Sequence, residues 1–214
     1  TPYQFGIDQG PVADGMPLLA VQQAFFDEDI PQRQHWNQSV LLTPQQPLDS
    51  ARLAQALQVL VAHHDALRLR FQQHGEQWLA SHGEASTPAL LWQHRVNDEA
   101  ELQALADQAQ ASLDLQHGPL LRAVLFDKAD GSQRLLVIIH HLVVDGVSWR
   151  ILLQDLQDAY RQPAVGLPAK TTAFKTWAEQ LQGLARSPAL QTEIAFWQSL
   201  HATDNHLPGA KPGA

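Results

Sequence analysis

Two adjacent histidines, His140 and His141, stand in the most apolar run of the chain, LLVIIHHLVVDGVSW (residues 135–149). Asp145 follows four residues after the second histidine, and Gly146 comes next. An imidazole can give or take a proton near neutral pH, and a partly buried neutral histidine is a competent general base. The run therefore predicts a site of proton-transfer chemistry.

The apolar run also predicts a buried strand that ends at the histidines. Because successive strand side chains point to opposite faces of a sheet, only one of His140 and His141 can face a given cavity. The other must find a hydrogen-bond partner inside the protein. We expect Gly146 to permit the turn that follows the strand, and Ser148 to cap the helix that begins there.

Three other interpretations of this run stay open on spacing alone. Both histidines can be satisfied structural residues of the core. His140, His141 and Asp145 can be metal ligands, although adjacent strand residues diverge and do not easily share one ion. Ser148 can be a hydrolase nucleophile, although its context, GVSWR, lacks the Gly-x-Ser-x-Gly elbow.

A second histidine pair, His63-His64-Asp65, lies within a predicted helix. His64 falls on the apolar stripe of that helix and His63 beside it, so helix packing explains this pair better than chemistry does. The chain has no Walker loop and no GxGxxG motif, which are the common sequence signs of a nucleotide site.

Composition narrows the class of protein. The chain has 214 residues, of which 44% are hydrophobic and 17% charged, as is usual for a globular protein. Its formal charge of -8 argues against nucleic-acid binding, which needs clustered Lys and Arg. The absence of cysteine excludes disulfides and thiolate chemistry, and a reducing, cytoplasmic location fits it. No apolar run reaches the roughly 18–20 residues of a membrane span.

Helical and strand patterns alternate along the chain, which predicts an α/β fold with a mixed β-sheet covered by helices. A turn at Asp130-Gly131 joins two strands, and residues 81–97 are expected to be irregular. Further strands are expected at residues 35–43, 67–71 and 77–81. Helices are expected at residues 17–29, 50–64, 98–113, 148–160, 174–185 and 189–200. Val21 is expected to face inward in the first helix. Asp49 or Ser50 is expected to cap the second, and Asn97 or Asp98 the third.

The segment HHLVVDGVSW matches a His-His-x-x-x-Asp-Gly pattern and resembles the condensation-domain superfamily of nonribosomal peptide synthetases, relatives of chloramphenicol acetyltransferase. PLLAVQQAFF is similar to the family's opening Pro-Leu-Thr-Pro-x-Gln segment, with Leu19 and Ala20 in place of Thr-Pro and Ala24 in place of a common aromatic. HHDALRLRF resembles the second family motif, and GPLLRAVLF resembles a Gly-Pro-Leu strand. The resemblance runs from about Gly10 to Leu207.

Within the superfamily, the details resemble epimerization domains. Peptide-bond-forming members usually carry Trp directly after Asp-Gly, whereas here Val147 takes that place and Trp149 comes two residues later. FFDEDIPQRQHWNQSVLL and KTTAFKTWAEQL also look like epimerization-domain segments. The resemblance implies an isomerase that inverts, from L to D, the Cα of an aminoacyl or peptidyl thioester during the synthesis of peptide antibiotics and other secondary metabolites.

The resemblance also implies roles for individual residues. His141 is the catalytic acid/base, and Asp145 holds the loop by a salt bridge for which Arg68 and Arg70 are the candidate partners. No metal and no directly bound cofactor are implied. The residues expected to support the motif are His140, Asp145, Gly146, Ser148 and Trp149.

Members of the superfamily have about twice this length and consist of two similar lobes around a cleft. We therefore expect residues 1–208 to be the N-terminal lobe of a chloramphenicol acetyltransferase-like two-lobed fold, and residues 209–214 a linker or the start of a connection to a missing C-terminal lobe. Because the only methionine is Met16, the chain is expected to be part of a longer protein.

The missing lobe would supply a catalytic glutamate, and a peptidyl carrier (thiolation) domain would bring the substrate on its phosphopantetheine arm. The isolated lobe is expected to be inactive. Two alternatives are a condensation domain, in which His141 assists attack of an amine on a thioester, and a non-catalytic module that docks a carrier domain. The DGVSW segment favours epimerization over condensation.

Overall fold

The computed structural model describes residues 7–84 and 89–200, in which two β-sheets are covered by helices. This arrangement confirms the expected α/β class with mixed sheet and helical cover. The strands are β1 (Gly15–Met16), β2 (Asn37–Leu42), β3 (Leu69–His74), β4 (Gln77–His82), β5 (Leu91–Val96), β6 (Leu121–Lys128) and β7 (Gln133–His140). The helices are α1 (Ala20–Asp27), α2 (Ser50–His63), α3 (Glu99–Gln110), α4 (Ser148–Arg161), α5 (Phe174–Ala185), α6 (Pro188–Gln191) and α7 (Ile194–Ser199).

The larger sheet has the strand order β2-β7-β6-β5. Strand β7 pairs antiparallel with β2 and β6, whereas β5 pairs parallel with β6. A smaller antiparallel sheet has the order β1-β4-β3, in which β3 and β4 form the expected hairpin. The strand that carries the histidine motif is therefore an inner strand, with a hydrogen-bonded neighbour on each side.

Both faces of β7 are buried, as its apolar sequence predicts. Leu135, Val137 and Ile139 pack in the core cluster that includes residues of α2 and α4. Leu136 and Ile138 point the other way and pack in the cluster that includes residues of α3. Alternate residues of one strand thus anchor two separate helical layers, which fixes the position of the strand end.

Helix ends follow the capping residues that the sequence offers. The side chain of Asp49 accepts a hydrogen bond from the Arg52 amide at the start of α2, and Asp98 accepts one from the Glu101 amide at the start of α3. Both caps are as predicted. No helix within the described residues is long and apolar enough to cross a membrane.

Three local predictions are wrong. The segment expected to be irregular contains β5, because β6 offers this edge strand a full set of parallel partners. Val21, expected to face inward in α1, is 73% exposed, and the neighbouring Gln22 is buried instead. The last expected helix is divided into α6 and α7, and the break between them lies at Thr192 and Glu193.

Candidate active site

His141 lies directly after β7 on the wall of a cleft of about 440 Å³. The wall is mostly apolar and combines side chains of α1, Trp36, the loop after β7, and Phe174 at the start of α5. Asp145 and Ser148 line the same cleft at the start of α4. The structure thus places a titratable ring at the rim of a cavity that would suit an apolar chain.

Hydrogen bonds define the orientation of the His141 ring. Nδ1 lies 2.9 Å from the carbonyl oxygen of Val144, which can only accept, so Nδ1 carries the hydrogen. Nε2 lies 3.3 Å from the side-chain nitrogen of Gln38. The His141 main-chain amide donates to the carbonyl of Trp36 at 2.9 Å. In the neutral ring, the lone pair is therefore at Nε2, the atom that a general base uses.

His140 points to the opposite face of the sheet and is completely buried. Its Nε2 donates to the carbonyl of Arg33 at 2.8 Å, and its Nδ1 accepts from the Leu142 amide at 3.1 Å. The Phe25 ring meets it edge-on, 5.9 Å between centroids. Burial is the main cause that lowers the pKa of His140 to about 4, and the charge of neighbouring His141 lowers it further. The predicted division of the two histidines between opposite faces is confirmed.

Asp145 is exposed and organises the start of α4. Its Oδ1 accepts from both the main-chain amide and the hydroxyl of Ser148, each at 2.7 Å. These hydrogen bonds lower the pKa of the Asp145 carboxyl. The prediction that Ser148 caps this helix is wrong, because Ser148 is its first residue and Asp145 supplies the accepting oxygen. A carboxylate at this position also complements the positive end of the helix dipole.

The predicted salt bridge from Asp145 to Arg68 or Arg70 is also wrong for the described residues. Arg68 is buried and pairs with Asp65 within the same short turn, three residues away. Arg70 is buried as well and donates to the carbonyl of Leu69. Each arginine thus has closer acceptors in its own part of the fold than the exposed carboxylate of Asp145.

Gly146 does not need to be glycine for the fold as described. Its backbone φ lies outside the left-handed region, and a Cβ built on it meets no atom within 4 Å. The expectation that this glycine permits the turn is therefore wrong. The conformation is one that other residues adopt, and the turn is held by the hydrogen bonds of Asp145.

Two glutamines that sequence analysis did not single out hold the site. Gln22 is buried, accepts from the Leu19 amide at 3.1 Å and donates to the carbonyl of Leu142 at 3.2 Å, so it ties α1 to the loop after β7. It occupies the Gln position of the opening PLLAVQ segment, and this match to the family motif was the sign in the sequence that Gln22 has a role. Gln38 contacts His141 and also accepts from the Trp149 indole at 2.9 Å.

One group in residues 7–84 and 89–200 brings three possible metal-ligand atoms within 4.8 Å of one another: His63, His64 and Asp155. The ring nitrogen Nε2 of His64 lies 2.7 Å from the buried Asp155 carboxylate, so these two side chains already satisfy each other. They join the end of α2 to α4, which agrees with the predicted packing role. His140, His141 and Asp145 form no such group among the described residues, since the two rings diverge.

Comparison with known proteins identifies the fold family. The model of the condensation-domain family matches residues 12–212 of this chain. This chain belongs to the condensation-domain family. The mixed sheet with its helical cover is therefore a condensation-type fold, as the resemblance implied.

Several relatives are multidomain synthetases. Over 202 residues the chain is 48% identical to part of a linear gramicidin synthase from Brevibacillus parabrevis, and over 205 residues it is 42% identical to tyrocidine synthase 2 of the same organism. These matches cover 89% and 92% of this chain but 3% and 6% of the relatives. The chain thus corresponds to a small part of each synthetase.

Two solved structures resemble the chain in fold. The epimerization domain from the third module of tyrocidine synthetase B superposes with a TM-score of 0.85 at 38% identity, covering 94% of this chain and 48% of that one. The condensation domain of the Monacolin K polyketide synthase gives a TM-score of 0.73 at 20% identity, covering 92% and 45%. The chain spans about half the length of either structure.

Proposed function

We propose that this chain supplies half of the active site of an epimerization domain, which inverts the Cα of an aminoacyl or peptidyl thioester from L to D. The observation that carries the proposal is the His141 ring, which lines the cleft, with its Nδ1 anchored on the Val144 carbonyl and its lone pair at Nε2. The position of Trp149, two residues after the usual one, and the 38% identity to an epimerization domain support it further.

The chemistry needs a base of this kind. The Cα–H of a thioester is acidified because the carbanion left after proton removal delocalises into the carbonyl. Inversion then requires one group that removes the proton from one face and another that delivers a proton to the opposite face. His141 is the first of these groups in our proposal, and its neutral ring accepts the proton at Nε2.

The cleft and its loop position that base. Gln22 fixes the Leu142 carbonyl, and Asp145 fixes the first turn of α4, so both ends of the loop after β7 are held. His141 is exposed at this cleft, and the mostly apolar walls beside it can receive the long phosphopantetheine arm. We propose that a peptidyl carrier domain brings that arm, and that no cofactor binds the chain directly.

The second proton-transfer group lies, in this proposal, in a C-terminal lobe that residues 209–214 connect to an N-terminal lobe of residues 1–208. The linker itself lies outside the described residues. Large apolar side chains are exposed along α5–α7, and we propose that the second lobe covers them. They include Trp177, Leu184, Phe196, Trp197 and Leu200, each at least 50% exposed. Without the second lobe we expect the chain to be inactive.

A second candidate function is peptide-bond formation, with which membership of the condensation-domain family is equally compatible. The same His141 geometry can assist attack of an amine on a thioester. The residue after Asp145-Gly146 favours epimerization in our proposal, since peptide-bond-forming members usually have tryptophan there and this chain has Val147.

An isotope experiment separates the candidates. A protein that joins this chain to the other half of its domain is incubated in heavy water with an L-aminoacyl thioester on a carrier domain. Epimerization predicts that released D-amino acid carries one deuterium at Cα. Amide formation with an added aminoacyl acceptor, without deuterium uptake, would assign condensation. Carrier binding with neither reaction would leave only a docking role.

A further inference from the structure

We propose that Gln38 and Trp149 form a positioning pair that orients His141 and keeps its Nε2 free of hydrogen. The inference rests on the proposed role of His141 as the base. It assigns a function to the displaced tryptophan of the DGVSW segment and to a strand residue far from it in sequence.

The indole fixes the direction of the Gln38 amide. Trp149 Nε1 can only donate, and it lies 2.9 Å from the side-chain oxygen of Gln38. The oxygen end of the amide therefore faces α4, and the NH₂ end faces His141. The indole hydrogen thus gives the amide the direction that its contact with His141 also requires.

The amide in turn fixes the tautomer of the ring. The Gln38 nitrogen has only hydrogens to offer, so Nε2 of His141, at 3.3 Å, must accept. At the other side of the ring, Nδ1 must donate to the Val144 carbonyl. Two independent contacts thus select the same neutral tautomer, with the lone pair at Nε2. A substrate Cα–H that approaches Nε2 takes the place of the Gln38 donor.

The fold brings Gln38 and Trp149 together from distant parts of the chain. Gln38 lies on β2 opposite Ile139 of β7, on the side of the sheet where Trp149 packs into the core cluster shared with α2 and α4. Asp145 holds the first turn of α4 and so places the indole. Val147 is 72% exposed, whereas Trp149 is partly buried against this cluster and reaches the amide.

With tryptophan at position 149, the relay from indole to amide to imidazole holds the His141 ring ready to accept a proton from carbon.

Three substitutions test the pair in a protein that joins this chain to the other half of its domain. Trp149→Phe removes the indole donor and keeps a ring in the core. Gln38→Met removes the amide and keeps the side-chain length. Gln38→Glu places an acceptor where Nε2 needs a donor, so both ring nitrogens face acceptors. The matched controls are Trp92→Phe on β5, at the opposite edge of the sheet, and Gln72→Met on the exposed part of β3.

The kinetic readout is kcat for Cα inversion, followed separately from KM. We expect Trp149→Phe to lower kcat by about 3- to 10-fold, the usual effect of one lost hydrogen bond. Gln38→Met should lower kcat by up to about 100-fold, because the ring loses its orientation, and Gln38→Glu should lower it further. KM should stay within about twofold, since neither side chain lines the cleft. Trp149→Phe should add nothing in the Gln38→Met background, because the indole acts through the amide.

The spectroscopic readout does not depend on turnover. Proteins with ¹⁵N-labelled histidine rings are compared by NMR, with His141 assigned from the His141→Ala spectrum. The wild-type ring should show only the tautomer with hydrogen on Nδ1, and Gln38→Met should show a fraction with hydrogen on Nε2. Control variants should match the wild type.

The outcomes separate this inference from the proposed function. If the wild type inverts Cα and all three variants match their controls in kcat and in tautomer, the positioning pair is wrong. If the variants change the tautomer while the wild type shows no Cα exchange, the pair exists and the proposed epimerization is wrong. A double variant much slower than Gln38→Met alone would show that Trp149 acts by another route.

Discussion

The two histidine pairs of this chain, His63-His64 and His140-His141, differ in the group that the second ring of each pair contacts. His64 directs Nε2 at the buried carboxylate of Asp155, 2.7 Å away, and the two side chains join α2 to α4. His141, which lines the cleft, directs Nε2 at the neutral amide of Gln38. A carboxylate holds its imidazole in a fixed structural contact, whereas an amide orients the ring and leaves its lone pair for an incoming group.

The second pair also contains its own internal contrast. His140 satisfies both ring nitrogens inside the protein, and burial keeps it neutral. His141, one residue later, lines the cleft, with Nδ1 anchored on the Val144 carbonyl and Nε2 facing the Gln38 amide. A single step along the chain at a strand end thus separates a structural imidazole from a reactive one.

The largest expected effect is on catalysis at His141. His141→Ala should lower the rate of Cα inversion roughly 10²–10⁴-fold, because it removes one acid–base group. His64→Ala is the matched control from the other pair and should retain a rate near that of the wild type. Rates are measured by chiral analysis of released product, at a temperature where both variants are folded. Equal losses of the inversion rate in the two variants would contradict the proposed difference between the two histidine pairs.

The next largest effect concerns the pH dependence of stability through His140. Its pKa is about 4 in the folded protein and about 6.5 when unfolded, so the unfolded chain binds the proton first as pH falls. The contribution of His140 to the free energy of unfolding is therefore fully present above pH 6.5. It is lost as pH falls towards 4, and the loss amounts to about 3 kcal/mol. In urea unfolding, the free energy of unfolding of His140→Gln should therefore decline less than that of the wild type over this pH range, by that amount. Parallel declines in the two proteins would contradict the assignment of a neutral buried ring.

Breaking the structural pair should affect stability alone. Asp155→Ala leaves His64 without its partner between α2 and α4, and should cost about 1–3 kcal/mol of unfolding free energy. Asp158→Ala, on the same helix, serves as the control. Inversion by folded Asp155→Ala should proceed at the wild-type rate. A large loss of kcat with unchanged stability would show that the first pair also takes part in the reaction.

The smallest expected effect is at the helix cap. Asp145→Ala removes the acceptor at the first turn of α4 and should cost about 1 kcal/mol, whereas Asp145→Asn keeps an oxygen there and should cost less. Thermal unfolding at neutral pH measures both. A loss of several kcal/mol for Asp145→Ala would indicate an ion pair rather than a cap.

The sequence predicts those parts of this fold that depend on local patterns. The two strands around Asp130-Gly131, the caps at Asp49 and Asp98, and the opposite faces of the two motif histidines all follow from periodicity and short-range chemistry. The family itself was evident from the histidine motif and three companion segments.

Long-range contacts account for what the sequence did not predict. Strand β5 is an edge strand whose pairing depends on β6. Its short apolar sequence does not indicate that a parallel partner exists. Gln38 meets His141 and Trp149 across more than one hundred residues of sequence. Asp145 was expected to find an arginine, but whether one lies near an exposed carboxylate depends on the packing of the whole molecule. The role of His141 and the second lobe stay predictions.

The most direct test of the account follows each enantiomer separately in the His141→Ala variant. D- and L-aminoacyl thioesters on a carrier domain are incubated in heavy water with the two-lobed protein, and deuterium at Cα is measured before and after chirality is resolved. If His141 serves one face of the carbon, the variant should lose inversion but still exchange the Cα proton of one enantiomer, through the group on the other face. Inversion at the wild-type rate, or continued exchange of both enantiomers, would contradict the assignment of His141 as the base on one face.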